Sequence, residues 1–138
     1  MKQKQIRSRI KQFISDEVME LIYKVYRKRN VSNNEKATAI EAILDHHNVE
    51  NTLLGPGTNR VAFLIDGYVF KFAMDSWGVK DNYNELANSK ELQPYVVKTY
   101  ETCGLINVCE YVTLISVDEF ERADVKNVIL ETLSILSM

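Results

Sequence analysis

The stretch VAFLIDGYVFKFA, residues 61–73, decides the fold of this 138-residue chain. Its β-branched and aromatic residues stand on both sides of Asp66-Gly67, a pair that favours the tight two-residue turn of a β-hairpin. We therefore predict two antiparallel strands, at residues 61–65 and 68–74.

Working outward, the same reasoning adds three further strands and a helix. The turn sequence GPGTNR, residues 55–60, joins the hairpin to a preceding strand at residues 51–54. Residues 81–92 lack Gly and Pro and favour a helix, which Pro94 would end. Two more strands are predicted within residues 95–104 and 105–115, with Gly104 in the turn between them.

Both ends of the chain show helical spacing of apolar residues. Ile6, Ile10 and Phe13 begin one stripe, and Ser15 is a candidate N-cap for the part of that helix that follows. A second helix is predicted from about Glu35 to His47. A C-terminal helix is predicted after Ser116 or Asp118, with apolar positions at Phe120, Val125, Val128, Ile129, Leu133 and Leu136.

These elements define an α+β protein. Two N-terminal helices would precede a five-stranded antiparallel sheet with one inserted helix, and a C-terminal helix would follow it. We divide the chain into a helical extension at residues 1–50 and an α+β unit at residues 51–138, together forming one compact domain.

The composition excludes several classes of protein. With 46% hydrophobic and 26% charged residues and a net charge of −2, the chain has enough apolar residues to form a hydrophobic core. No apolar run approaches the ~20 residues of a membrane span. Cys103 and Cys109 are too few for a disulfide framework. We therefore expect a cytoplasmic protein without a membrane contact.

The charge is unevenly distributed along the chain. Residues 1–30 carry nine Lys or Arg against three acidic residues, so the remainder is strongly acidic. Arg7, Arg9 and Lys11 could contact nucleic acid or an acidic protein face. The alternative interpretation is an ordinary solvated helix face.

Three motifs follow one another between residues 51 and 115. Residues 55–61, GPGTNRV, resemble the glycine-rich loop GxGxxGxV, and residues 69–73, VFKFA, resemble the VAIK motif of a third strand. Residues 108–112, VCEYV, resemble the end of a fifth strand and a hinge. In this order the motifs resemble the N-terminal lobe of protein-kinase-like folds, over about half of the chain.

The resemblance implies a nucleotide site. In that site the positive charge of Lys71 would neutralise the charge of a bound phosphate. The carboxylate of Glu85 would orient this lysine, and Glu91 is the second choice for that role. Cys109 would lie at the back of the adenine pocket. The full set of implied nucleotide-binding residues is Gly55, Gly57, Arg60, Val61, Lys71, Glu85, Glu110 and Val112.

Departures from the family pattern point away from catalysis. Arg60 stands where the family has the third glycine, and the hairpin at Asp66-Gly67 is as short as in atypical or phage-encoded kinase-like proteins. Only residues 113–138 follow the hinge-like segment, and they offer no catalytic-loop aspartate or metal site of the family. Residues 122–127 superficially resemble the catalytic-loop sequence of the family, but they fit the pattern of a helix with a solvated face.

We therefore expect a non-catalytic pseudokinase-like protein that works by binding another protein, such as an inhibitor or decoy of a phage or mobile element. One alternative is the nucleotide-binding half of a split or truncated kinase, with ATP as ligand; another is a nucleic-acid module. No metal or other cofactor is expected. We expect Trp77 to pack beneath the inserted helix, and the alternative is that it anchors a partner. The C-terminal helix, through Leu133 and Leu136, or the open sheet face could mediate self-association.

Overall fold

The structure, a computed structural model, describes residues 8–91 and 97–112. The predicted C-terminal helix, with Leu133 and Leu136, lies outside the described residues, as does Arg7. The described part is α+β, with a helical N-terminal part followed by a five-stranded antiparallel sheet and a helix inserted between its strands. The helices that precede the sheet are α1 (Arg9–Phe13), α2 (Asp16–Arg27) and α3 (Asn33–His46).

A serine directly precedes each of these three helices and caps it. The hydroxyls of Ser8, Ser15 and Ser32 accept a hydrogen bond from the backbone N–H three residues later, at 3.1–3.2 Å. The N-cap predicted at Ser15 is confirmed. The prediction of two N-terminal helices is wrong, because extended backbone at Ile14 and Ser15 separates α1 from α2.

The sheet has the strand order β1-β2-β3-β5-β4, and all neighbours are antiparallel. The inserted helix α4 begins at Ser76, earlier than the predicted residue 81, so that Trp77 belongs to its first turn. The bounds are β1 (Thr52–Pro56), β2 (Arg60–Ile65), β3 (Tyr68–Ala73), α4 (Ser76–Glu91), β4 (Thr99–Thr102) and β5 (Ile106–Glu110).

The predicted hairpin is confirmed. Ile65 pairs with Tyr68, and the two residues between them have φ angles of +50° at Asp66 and +81° at Gly67. Positive φ at both turn positions matches the twist of the flanking strands. The resulting register places Ala62 opposite Lys71, so both lie on the same face of the sheet.

The opposite face of the sheet is apolar and packs against the three N-terminal helices. Phe13 of α1 meets Phe70 of β3 edge to face, with ring centroids 6.0 Å apart. Helix and sheet residues thus share one hydrophobic cluster, whose members include Ile10, Val18, Ile22, Ile40, Leu44, Val61, Phe63, Phe70, Phe72, Ile106 and Val108.

A buried ammonium joins the helical part to the sheet. Lys36 of α3 is almost wholly buried, and its Nζ donates to the carbonyl oxygens of Met74 at 2.6 Å and Tyr26 at 3.2 Å. Charge-assisted bonds of this kind are stronger than bonds between neutral groups. Lys36 therefore fixes α3 against both α2 and the end of β3.

We expect Lys36→Met to lower the free energy of unfolding by about 2 kcal/mol, because one buried and one partly buried carbonyl group lose their donor while the side-chain volume is kept. Urea unfolding followed by circular dichroism measures the change. Lys90→Met, at an exposed position of α4, is the control and should remain within about 0.5 kcal/mol of the unaltered chain. Equal stability of the Lys36→Met variant would contradict the structural role of these bonds.

Candidate functional site

The polar face of the sheet carries a cluster centred on one carboxylate. Glu85 of α4 accepts hydrogen bonds at Oε2 from Lys71 Nζ, at 2.9 Å, and from Arg60 Nη2, at 3.2 Å. Its Oε1 accepts from Asn107 Nδ2 and from the Cys109 thiol, both at 3.2 Å. Four donors match the four lone-pair positions of a carboxylate, so Glu85 has no acceptor capacity to spare.

The predicted pairing of Lys71 with Glu85 is found in the structure. The second choice, Glu91, is exposed at the end of α4. Arg60, predicted only as part of the loop, contacts the same carboxylate oxygen as Lys71. Two cations on two neighbouring strands thus converge on one acid from the helix.

Sequence reasoning missed two buried asparagines that hold this cluster together. Asn82 Nδ2 donates to the Gly104 carbonyl at 2.7 Å, and its Oδ1 accepts from Arg60 Nη1 at 3.2 Å. Asn107 Nδ2 also donates to the Asn82 carbonyl, at 3.0 Å. Asn82 could have been found from its spacing, because it lies three residues before Glu85 on the same face of α4. Asn107 required the register of β5 on β3, where it pairs with Lys71.

Charge and burial act in opposite directions at Glu85. Burial alone raises the pKa of its carboxyl group, but the Lys71 ammonium and the Arg60 guanidinium outweigh that effect and lower the pKa from 4.5 to about 2. Burial raises the pKa of the Cys109 thiol to about 11, even though the Lys71 charge opposes this shift. At neutral pH Glu85 is therefore ionised and Cys109 is a protonated donor.

The lowered pKa of Glu85 predicts an acid-sensitive stability. Because the folded-state pKa lies below the unfolded value, the stabilisation is complete above pH 4.5 and is lost as the pH falls towards 2. We expect the carboxylate to contribute about 3 kcal/mol near neutral pH. Urea unfolding across this pH range should show the loss for the unaltered chain and a smaller slope for Glu85→Gln. An identical slope in both proteins would contradict the assignment.

An open groove of about 600 Å³ lies beside this cluster, between the β1–β2 hairpin and α4. The groove brings together five of the eight predicted nucleotide-site residues, while Glu85, Glu110 and Val112 are not among its described lining. The Glu110 N–H donates to the Lys98 carbonyl at 2.8 Å, as part of the sheet edge. The lining residues are Leu54, Gly55, Pro56, Gly57, Thr58, Asn59, Arg60, Val61, Ala62, Lys71 and Asp81.

The glycine-containing loop is closed by its own hydrogen bonds. The Gly57 N–H donates to the Arg60 carbonyl at 2.6 Å, which makes a hairpin turn with Thr58 and Asn59 at its tip. The Met74 N–H donates to the Asn59 carbonyl at 2.8 Å, and the Asn33 side-chain amide donates to the Thr58 carbonyl. The Gly57 N–H, which the kinase resemblance would direct at a phosphate, is therefore already used.

The basic N-terminal segment is partly engaged within the protein. The Arg9 guanidinium lies 4.3 Å from the ring centroid of Tyr100 and 5.1 Å from that of Tyr68. The Glu101 carboxylate accepts from the Ser8 hydroxyl at 2.7 Å. Of the three basic residues suggested for nucleic-acid contact, Lys11 is exposed, Arg9 stacks on its own sheet, and Arg7 lies outside the described residues.

Trp77 is not packed beneath the helix, and that prediction is wrong. In the first turn of α4 its side chain is 65% exposed, with the Lys80 ammonium 5.6 Å from the ring centroid. Leu54, on the far wall of the groove, is 44% exposed. Large apolar side chains exposed beside a groove are typical of binding surfaces.

Comparisons with known proteins found no match to the chain among protein-family models, curated proteins or solved structures. Within residues 8–91 and 97–112, no helix is both long and apolar enough to cross a membrane. The same residues contain no group of three or more His, Cys, Asp or Glu side chains placed to hold a metal ion.

Proposed function

We propose that this chain is a non-catalytic binding protein, resembling a kinase N-terminal lobe, that contacts another protein through the groove between the β1–β2 hairpin and α4. The observation that carries the proposal is Trp77, 65% exposed at the start of α4. Trp77 lies one helical turn before Asp81, the α4 residue that lines the groove, and tryptophan is among the residue types enriched in binding hot spots.

The internal bonding of the loop and cluster supports binding of a protein over binding of a nucleotide. The Gly57 N–H is used by the Arg60 carbonyl. Arg60 occupies part of the space that a third glycine would leave open, and it is fixed by Asn82 and Glu85. A phosphate chain would have to displace the bond between Gly57 and Arg60 to obtain that backbone donor.

The rigidity of the groove supports the same conclusion. Its hairpin wall is tied to α3 through Asn33 and to the end of β3 through Met74. Its helical wall is tied to the sheet through Asn82. A preformed surface loses little conformational entropy on binding, as is expected of an inhibitor or decoy.

Site-specific photo-crosslinking tests the proposal. The photoreactive residue p-benzoylphenylalanine would replace Trp77 in the full chain, and in a matched variant it would replace Tyr23, an exposed aromatic residue of α2. In cells that naturally encode the chain, we expect one discrete protein adduct from position 77 and none from position 23. No adduct at either position, or equal adducts at both, would contradict the proposal.

Thermal unfolding in the presence of Mg·ATP separates this function from the split-kinase alternative. We expect no stabilisation at millimolar nucleotide, because the loop donors are used internally. A rise in melting temperature that is abolished by Lys71→Ala would instead favour the nucleotide-binding half of a kinase.

A further inference from the structure

The cations beside the groove have donors that the described contacts do not use. Lys71 has three N–H donors, of which one goes to Glu85. Arg60 has five, and its described bonds are one from Nη1 to Asn82 and one from Nη2 to Glu85. Both residues line the groove, and their side chains keep 26% and 23% of their surface exposed.

Glu85 cannot satisfy these remaining donors. All four acceptor positions of Glu85 are taken. Its single negative charge also balances only one of the two cations that face it. One more acid lines the described groove: Asp81, on the α4 wall. The floor of the groove is therefore rich in donors and cationic, and one wall carries an acceptor.

One wall of the groove is apolar at Leu54, and the exposed Trp77 stands next to the other wall. Trp77 precedes Asp81 by one helical turn and so lies on the same side of α4. Leu54 of β1 stands on the opposite wall, 44% exposed. An extended segment that crosses the groove and continues past Asp81 along α4 would contact Leu54 on one side of the floor and Trp77 beyond the other.

We propose that the groove binds a partner-protein segment that presents an aspartate or glutamate flanked by apolar residues. The partner's carboxylate accepts from Lys71 and Arg60, its apolar neighbours pack on Trp77 and Leu54, and Asp81 accepts from the segment's backbone N–H groups. This inference rests on the proposed protein-binding function and adds the chemistry of the partner to it.

A carboxylate fits these residues better than a phosphate chain does. A guanidinium and an ammonium side by side match the two oxygens of one carboxylate. A chain of phosphates would need further backbone donors, and the Gly57 N–H is not available for them because it bonds the Arg60 carbonyl. Charge complementarity with an acidic side chain therefore requires no rearrangement of the loop.

Nuclear magnetic resonance titration of the full chain tests the inference. The probes are a blocked tripeptide with a central aspartate between two leucines and its asparagine counterpart, and the readouts are the Trp77 indole N–H and the Arg60 Nε–H resonances. We expect saturable shifts with the aspartate peptide and binding about tenfold weaker or more with the asparagine peptide. Equal binding of the two peptides, or no shift with either, would overturn the inference.

Two variants locate the binding. Trp77→Ala removes an exposed side chain and leaves the fold intact, and we expect it to weaken the aspartate peptide severalfold. Arg60→Lys keeps the charge but removes the planar pair of donors, and it should also weaken binding of the aspartate peptide. Lys98→Met, on the β4 side of the sheet near Tyr100, is the control and should bind as the unaltered chain does. Unchanged binding in the first two variants would place the peptide elsewhere and overturn the inference.

Competition separates carboxylate from phosphate ligands. Inorganic phosphate and ATP should fail to displace the aspartate peptide at equal concentration, and displacement by ATP would overturn the inference. A specific crosslink from position 77 together with equal binding of the two peptides would leave the proposed function standing while the acidic-segment inference fails. Loss of the crosslink would remove the proposed function itself.

Discussion

Gly78→Ala is expected to lower the free energy of unfolding by about 3 kcal/mol, although alanine is the better helix former. Gly78 is buried in the first turns of α4, and a Cβ there would collide with the Asn59 carbonyl oxygen and come within 3.1 Å of Ala73. The Asn59 carbonyl cannot retreat freely, because it accepts the Met74 N–H at 2.8 Å. The added methyl group must therefore push α4 away from the hairpin.

Asn84→Ala is the matched control for this prediction. Asn84 is exposed on the same helix, so the gain in helix propensity comes there without a collision, and stability should be equal or slightly higher. Urea unfolding of both variants, followed by circular dichroism, gives the comparison. If both variants gain stability alike, α4 does not approach the hairpin as closely as described.

Glu85→Ala is expected to cost about 3 kcal/mol of unfolding free energy. It removes one acceptor from each of four donors and leaves Lys71 and Arg60 as neighbouring cations without their counter-charge. Because these side chains are about a quarter exposed, water recovers part of the loss. Glu85→Gln keeps an acceptor oxygen but loses the charge, as protonation does, so it should cost nearly as much.

The reactivity of Cys109 gives a second readout for the same variant. The Glu85 charge helps to keep the pKa of this thiol high and the Lys71 charge opposes it, so removal of Glu85 should lower the pKa. In a Cys103→Ser background, which removes the exposed cysteine, we expect faster labelling by a thiol reagent at mildly alkaline pH. Unchanged labelling of a folded Glu85→Ala variant would contradict the described contact.

The local elements could be predicted because their signals lie within a few residues. The turn at Asp66-Gly67 and the cap at Ser15 are set by neighbouring side chains, and both are confirmed. The separation of α1 from α2 was missed because apolar spacing continues through Ile14, which is buried in the shared core. There, backbone direction changes without any change in hydrophobic pattern.

The site was only partly predictable because half of it depends on strand order. The Lys71–Glu85 pair followed from the kinase resemblance and from the order of β3 and α4. The roles of Asn107 and Cys109 arise because β5 lies next to β3, a pairing across the whole of α4 that no local pattern specifies. The exposure of Trp77 depended on where α4 begins, and helix starts are poorly fixed by periodicity alone.

The strand order also predicts the sequence of folding events. The meander β1–β2–β3 needs contacts only between successive strands, whereas β5 pairs with β3 across the intervening α4 and β4, so its docking closes the longest loop in the sheet. Asn107 and Cys109 belong to β5, so two of the four donors to Glu85 are in place only once β5 has docked on β3. We therefore expect protection of the Cys109 thiol to develop in the slowest phase of refolding, after the hairpin at Asp66-Gly67 has formed.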